Sequence, residues 1–132
     1  MGVLVDSNII LDVVTEDPVW AEWSDRAISL HQPDGLIVNP FIFAELCTGA
    51  NSEDEVNLLL ENLKLGFHEI PREGLFLAAK AFLKYRRSGG AKTSPLPDFF
   101  IGGHAEALGL PVLTRDTARY QTYFPGVRLI HP

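Results

Sequence analysis

The stretch PVLTRDT, residues 111–117, begins as a buried strand, with Val112 and Leu113 extending an apolar run from Leu110, and then meets a carboxylate at Asp116. VLVDSN, residues 3–8, does the same at Asp6 near the other end of the chain. A short apolar run bounded by polar residues suits a strand covered on both faces, as in a parallel sheet. Two such strands with acids at their tips gather charge where a parallel sheet binds ligands.

Working outward, Val3 to Val5, Leu36 to Val38, Phe67 to Ile70, Val112 to Thr114 and Val127 to Ile130 are β-rich runs. Helical patterns lie between them. Asp17 followed by Pro18 signals a helix start, and Val19, Trp23, Ala27 and Leu30 then form an apolar stripe. Ser52 with Glu55 makes a capping box ahead of Val56, Leu59, Leu60 and Leu63. A later helix carries Leu75, Ala78, Ala79 and Phe82 inward and stops at Gly89 and Gly90. Strands that alternate with helices predict an α/β fold, with a mostly parallel central sheet of about five strands flanked by helices.

Length and composition agree. At 132 residues, with 46% hydrophobic and 10% aromatic content, the chain is expected to form one domain over residues 1–132 with a substantial core. RRSGGAKTSPLP, residues 86–97, reads as an exposed loop rather than a linker. The single cysteine, Cys47, excludes an internal disulfide and reads as a core residue. No membrane span or leader segment is expected, so the predicted location is cytoplasmic. A net charge of −6 argues against broad nucleic-acid binding unless the acids gather at a site that a cation neutralises.

Two further acids interrupt apolar surroundings: Glu45 in FIFAELCTG and Asp98 in PLPDFFIGGHA. Each acid has an ordinary explanation. Asp6 with Ser7 can cap the helix that follows, Asp98 can favour the positive end of its helix, and Asp116 can cap TARYQTY. Glu45 needs no cap, although a tilt toward solvent would account for it. The set is harder to explain than its members, because unpaired like charges a few ångströms apart repel by roughly 1–4 kcal/mol per pair. Oxygen ligands alone favour a hard cation, magnesium or manganese, and such an ion suits hydrolysis of phosphodiesters.

In order and spacing, VDSNIILD, FAEL and PDFFIGGHAEALGLPVLTRD resemble PIN-domain ribonucleases over essentially the whole chain, in particular the toxins of VapBC toxin–antitoxin pairs. The resemblance implies that Asp6, Glu45, Asp98 and Asp116 form the acidic site of a single-strand-directed endoribonuclease using Mg2+ or Mn2+. It places Asp6 and Asp98 on the ion; Glu45 and Asp116 complete the site or act through water, and Asp116 is counted with the metal set. Thr114 matches the family's hydroxyl residue at the strand end, and Ser7 and Asn8 match the polar pair after the first acid. Asn8 either bonds among the carboxylates or starts the helix. The reaction implied is in-line attack by metal-activated water, leaving a 5′-phosphate and a 3′-hydroxyl. An antitoxin lying across the acidic groove and a toxin homodimer are implied as partners.

RNA must still reach an acidic protein. Lys80, Lys84, Arg86, Arg87 and Lys92 lie between Gly74 and Pro97 with no acid among them, and Lys80, Lys84 and Arg87 share one helix face at i, i+4, i+7. That face is either a phosphate track or a solvated surface. Arg115, beside Asp116, is a second candidate phosphate contact. His104 reads as a packing residue rather than a base, and His31, His68 and His131 carry no usable pattern. Trp20, expected to be exposed, and Trp23 join Phe41 to Leu46 and Val56 to Leu65 as a candidate surface for a partner helix. Two other functions remain open: another magnesium-dependent phosphohydrolase or receiver-like domain, and an inactive PIN-like scaffold that binds RNA or protein. The first fits less well, because Asp6 lacks a second acid two residues on and EIPRE ends the third strand.

Overall fold

The computed structural model describes residues 2–89 and 96–132. The elements run β1 (Val3–Val5), α1 (Ser7–Val14), α2 (Ala21–His31), β2 (Leu36–Val38), α3 (Pro40–Cys47), α4 (Glu53–Leu63), β3 (Leu65–Phe67), α5 (Arg72–Arg87), α6 (Leu96–Leu108), β4 (Val112–Leu113), α7 (Ala118–Tyr123) and β5 (Leu129–Ile130). The five strands pair in parallel in the order β3-β2-β1-β4-β5. Every residue of β1 and β2 is buried, which explains why these strands read as unbroken apolar runs rather than alternating ones.

The order reverses between β1 and β4. A parallel sheet opens a crevice beyond its carboxyl edge at such a switch. β1 runs into Asp6 there, β4 into Thr114, and β2 into Asn39 at the head of α3.

Local signals in the sequence were mostly correct in kind and shifted in position. The third strand spans Leu65–Phe67 rather than Phe67 to Ile70, because Lys64 adopts a left-handed C-cap (φ 58°) and turns α4 straight into it. Asp17 does cap: its Oδ1 accepts from the amides of Val19 and Trp20, but these residues form a turn and α2 begins only at Ala21. Val19 and Leu30, expected in the apolar stripe, are each 71% exposed, whereas Ala27 and Ile28 are buried. The capping box at Ser52 is offset by one residue: Glu55 donates its amide to Ser52 Oγ and accepts from the Asn51 amide. Gly89 ends α5 with φ 88°; of the expected 86–97 loop, Arg86 and Arg87 belong to α5 and Leu96 and Pro97 to α6, while residues 90–95, with Gly90 and Lys92, lie outside the described residues.

The inward face of α5 is rotated from the predicted one. Gly74 and Ala78 are buried and Ala81, Phe82 and Tyr85 pack on the core, while Leu75 and Ala79 are exposed. Two glycines set this rotation. A Cβ on Gly103 of α6 would strike the Gly74 carbonyl oxygen and come within 2.9 Å of the Ala78 amide nitrogen, so the helices meet backbone to backbone. Gly103→Ala is expected to cost about 1–3 kcal/mol through overpacking, read as a lower denaturant midpoint with an unchanged slope.

At the start of α6, Phe99 is fully buried and its ring packs 5.4–6.2 Å from those of Phe82, Tyr85, Tyr123 and Phe124. Such aromatic pairs add to burial. They anchor the turn that carries Asp98.

Candidate active site

Asp6 occupies the N-cap position of α1, yet its side chain makes no capping hydrogen bond. Its carboxylate turns to the neighbouring strand tip instead. Oδ2 accepts from Thr114 Oγ1 at 2.9 Å and from the Tyr120 hydroxyl at 3.0 Å. Asp6 is only 4% exposed, and burial raises its pKa; the two hydroxyls oppose that rise, and the charge of Asp116 adds to it. Tyr120 is pushed well above its usual pKa by burial and then by Asp6 and Asp98, which keeps its proton available for donation.

Glu45 sits in α3 with its Oε1 accepting from Ser7 Oγ at 2.9 Å. Burial raises its pKa, with Ser7 opposing and the charge of Asp6 adding to the rise. Asp98 lies in the first turn of α6 and is pushed up to about 7, first by burial and then by Asp6 and Asp116, with Arg119 opposing. Asp116 is exposed on the β4 side and makes no cap: α7 begins behind Thr117 without a side-chain capping bond. Its amide donates to Thr114 Oγ1 at 3.1 Å. Asp98 is electrostatically coupled to Asp6, Asp116 and Glu45, so the four acids share one field at the carboxyl edge of the sheet.

Among the described residues, Arg119 only partly offsets it. Arg119 Nε stands 3.9 Å from Asp98 Oδ2, longer than a well-formed charged hydrogen bond, and its guanidinium lies over the rings of Tyr85 (4.9 Å) and Phe99 (5.7 Å). Its Nη1 is one of two buried side-chain polar atoms among the described residues that lack a partner.

The donor set fits a hard divalent cation: the ligating atoms are oxygens and negative charge is in excess. Among the described residues no three His, Cys, Asp or Glu side chains stand in a ready ligand cluster. Magnesium tolerates such an open set, since it commonly keeps several waters and binds through one or two carboxylates plus substrate phosphate.

Supporting residues fall into a connected network. Asn8 Nδ2 donates to Thr114 Oγ1 at 3.3 Å, and its Oδ1 accepts from the Arg115 amide at 3.2 Å; it bonds to the strand tip rather than to the carboxylates. Asn39 caps α3 through Oδ1 and turns its Nδ2 to His104 Nδ1 at 3.3 Å. That assigns the His104 proton to Nε2, the other buried atom without a partner. Burial, and then His68, lowers the His104 pKa, as expected of a neutral packing residue.

Other predicted residues lie elsewhere. Arg115 was expected to contact phosphate, but its guanidinium is held by Asp12 through Nε at 2.7 Å and Nη2 at 2.9 Å. Trp20, expected to be exposed, is partly buried, with that guanidinium 5.1 Å over its ring. Lys80, Lys84 and Arg87 are exposed on α5, and Lys80 lies over Phe76 at 5.3 Å. Asp12, Arg119 and Tyr120 were not singled out from the sequence. Asp12 carried the signal used for Glu45, an acid inside an apolar helix; the other two had none apart from position after Asp116.

A model of the PIN domain matches residues 3–125. No curated protein sequence matches the chain. Among solved structures, VapBC2 from Rickettsia felis, bound to a DNA fragment from its promoter, superposes with a TM-score of 0.75 at 15% identity, covering 99% of this chain and 98% of that one. DNA-bound VapBC from Salmonella typhimurium gives 0.74 at 18% identity over 99% and 98%. FitAcB from Neisseria gonorrhoeae gives 0.68 at 20% identity over 98% and 97%. At such identities these likenesses speak for the fold, and the family model, spanning both acid-tipped strands and both acid-bearing helices, speaks for descent. The chain belongs to the PIN-domain family.

Proposed function

We propose that the protein is a magnesium- or manganese-dependent endoribonuclease that cuts single-stranded RNA, and that it is the toxin of a toxin–antitoxin pair. One observation carries the reading: at the carboxyl edge of the sheet, burial and then the charges of Asp6 and Asp116, with Glu45 adding, raise Asp98 to about 7, and among the described residues only Arg119, 3.9 Å away, opposes them. Asp6, Asp98 and Asp116 would hold the cation, which supplies activation of water and stabilisation of charge on the attacked phosphoryl group. Thr114 and Tyr120 donate to Oδ2 of Asp6 and so fix how it presents Oδ1. Ser7 fixes Oε1 of Glu45, whose raised pKa suits it to take a proton from the attacking water.

The partner reading rests on a groove lined by Leu11 and Val14 of α1, Leu46 of α3, and Val56, Leu58 and Leu59 of α4. Val14 and Leu58 are about half exposed there, at 48% and 57%. Such an apolar lining is what an amphipathic antitoxin helix needs. Its position takes in part of the surface expected from Phe41 to Leu46 and Val56 to Leu65, without Trp20. A homodimer is proposed on the resemblance alone. Among the described residues no helix is long and apolar enough to cross a membrane; a cytoplasmic location is proposed on the family reading.

The basic face of α5 is proposed as the phosphate track. Neutralising Lys84 and Arg87 together is expected to lower the slope of log affinity against log salt by roughly 1.4 for single-stranded RNA, about 0.7 for each phosphate that the protein no longer neutralises. An unchanged slope returns that face to solvent.

An inactive scaffold is favoured by one observation, the absence of a ready three-ligand cluster among the described residues. Incubating purified protein with total cellular RNA, with manganese or with chelator, separates the two readings. Discrete fragments with 5′-phosphates that vanish with chelator support the nuclease; binding without cleavage in either condition supports the scaffold.

A further inference from the structure

We propose that Asp12 and Arg115 form a clamp that positions the β4 tip, and with it Thr114 and Asp116, against the helix that carries Asp6, Ser7 and Asn8. The inference deepens the proposed function and rests on it only for the metal.

Asp12 lies in the last turn of α1 with its side chain 4% exposed. A carboxylate buried to that degree needs a partner with good geometry. It has two: Arg115, which donates to both carboxylate oxygens, and Ser24 of α2, whose hydroxyl donates to Oδ2 at 2.7 Å. Arg115 is not a neighbour on the helix. It lies between Thr114 and Asp116, 103 residues further along the chain.

Residue 115 is gripped at both ends by one face of α1. Its amide donates to Asn8, one turn before Asp12, and its guanidinium reaches Asp12 itself under the Trp20 ring. The flanking residues take their places from this grip. Thr114 turns its hydroxyl to Asp6, and the Asp116 amide closes onto that same hydroxyl oxygen. Asp116 is itself exposed and makes no side-chain hydrogen bond or ion pair among the described residues, so its direction depends on the backbone that Arg115 holds. A bidentate arginine stacked on an aromatic ring is pre-organised for this task, and swinging it out to a phosphate would break both charged hydrogen bonds. Arg115 is therefore a positioning residue.

The test compares wild type, Asp12→Asn and the double variant Asp12→Leu/Arg115→Met by amide hydrogen exchange, thermal stability and manganese titration. In Asp12→Asn, exchange at the Arg115 and Asp116 amides should accelerate at least tenfold more than at Leu4 and Asp6, and manganese affinity should fall about 10- to 100-fold, as for other supporting residues around a metal. The double variant refills the site with apolar volume. It should recover thermal stability without recovering manganese affinity. Unchanged relative exchange at residues 115 and 116, or an affinity that returns together with stability, overturns the clamp. If wild type neither binds manganese nor cleaves RNA, the nuclease reading fails, and the exchange data alone still decide whether the clamp exists.

Discussion

Asp98→Asn is expected to abolish RNA cleavage, with a loss on the order of 10³-fold, and to leave the fold intact. The substitution changes little volume and removes a charge from the member of the cluster whose pKa is raised to about 7. The same variant should be the more stable protein when metal is absent. Because the folded-state pKa lies above the ordinary aspartate value of 3.8, folding is favoured by the protonated form: the benefit is complete below about pH 4 and is lost as pH rises through about 7. Metal-free wild type should therefore lose thermal stability between about pH 4 and pH 8 more steeply than Asp98→Asn, with the two alike near pH 4. Saturating manganese should reverse the order by stabilising wild type alone. Wild-type cleavage by Asp98→Asn would remove Asp98 from the site.

Thr114→Val should have the second largest effect. Thr114 Oγ1 has one proton and two acceptors within reach, Asp6 Oδ2 at 2.9 Å and the Asp116 carbonyl at 3.3 Å; the shorter, charged bond takes it. The oxygen also accepts from Asn8 and from the Asp116 amide. Valine keeps the shape and ends all of these bonds inside a fully buried site. The expected cost is about 2 kcal/mol, or roughly 5–10 °C in melting temperature, since a buried charged acceptor loses a donor. Cleavage should fall about 10- to 100-fold at full metal saturation. Thr114→Ser restores the hydroxyl and should recover most of both. A valine variant with normal melting and activity would show that Tyr120 alone orients Asp6.

The fold was legible because its signals are local. Apolar runs such as Val3–Val5 and Val112–Leu113 can only be buried between helices, and the left-handed turn at Gly89 ends α5 where glycine permits it. Helix faces were less legible. The face of α5 depends on Gly74 meeting Gly103, a close approach between helices that apolar periodicity does not encode. The four acids were visible as charges interrupting apolar context. The groups around them were not: nothing in the sequence singles out Tyr120 as a partner of Asp6, and Arg115 reads as a candidate phosphate contact rather than as a partner of Asp12. Arg115 finds Asp12 and Tyr120 finds Asp6 across more than a hundred residues. A side chain's availability is decided by what folds against it, which is why the expectation for Arg115 changed while those for Ser7 and Asn8 gained named hydrogen-bond partners.

The central claim is that the carboxylates at the strand tips exist to hold a cation against phosphate. Titrating metal-free protein with manganese, followed by electron paramagnetic resonance for wild type and Asp6→Asn, tests it without relying on a known RNA target. The account predicts saturable binding to wild type, displaced by magnesium and weakened at least about tenfold in Asp6→Asn. No saturable binding, or equal binding by both proteins, would contradict it.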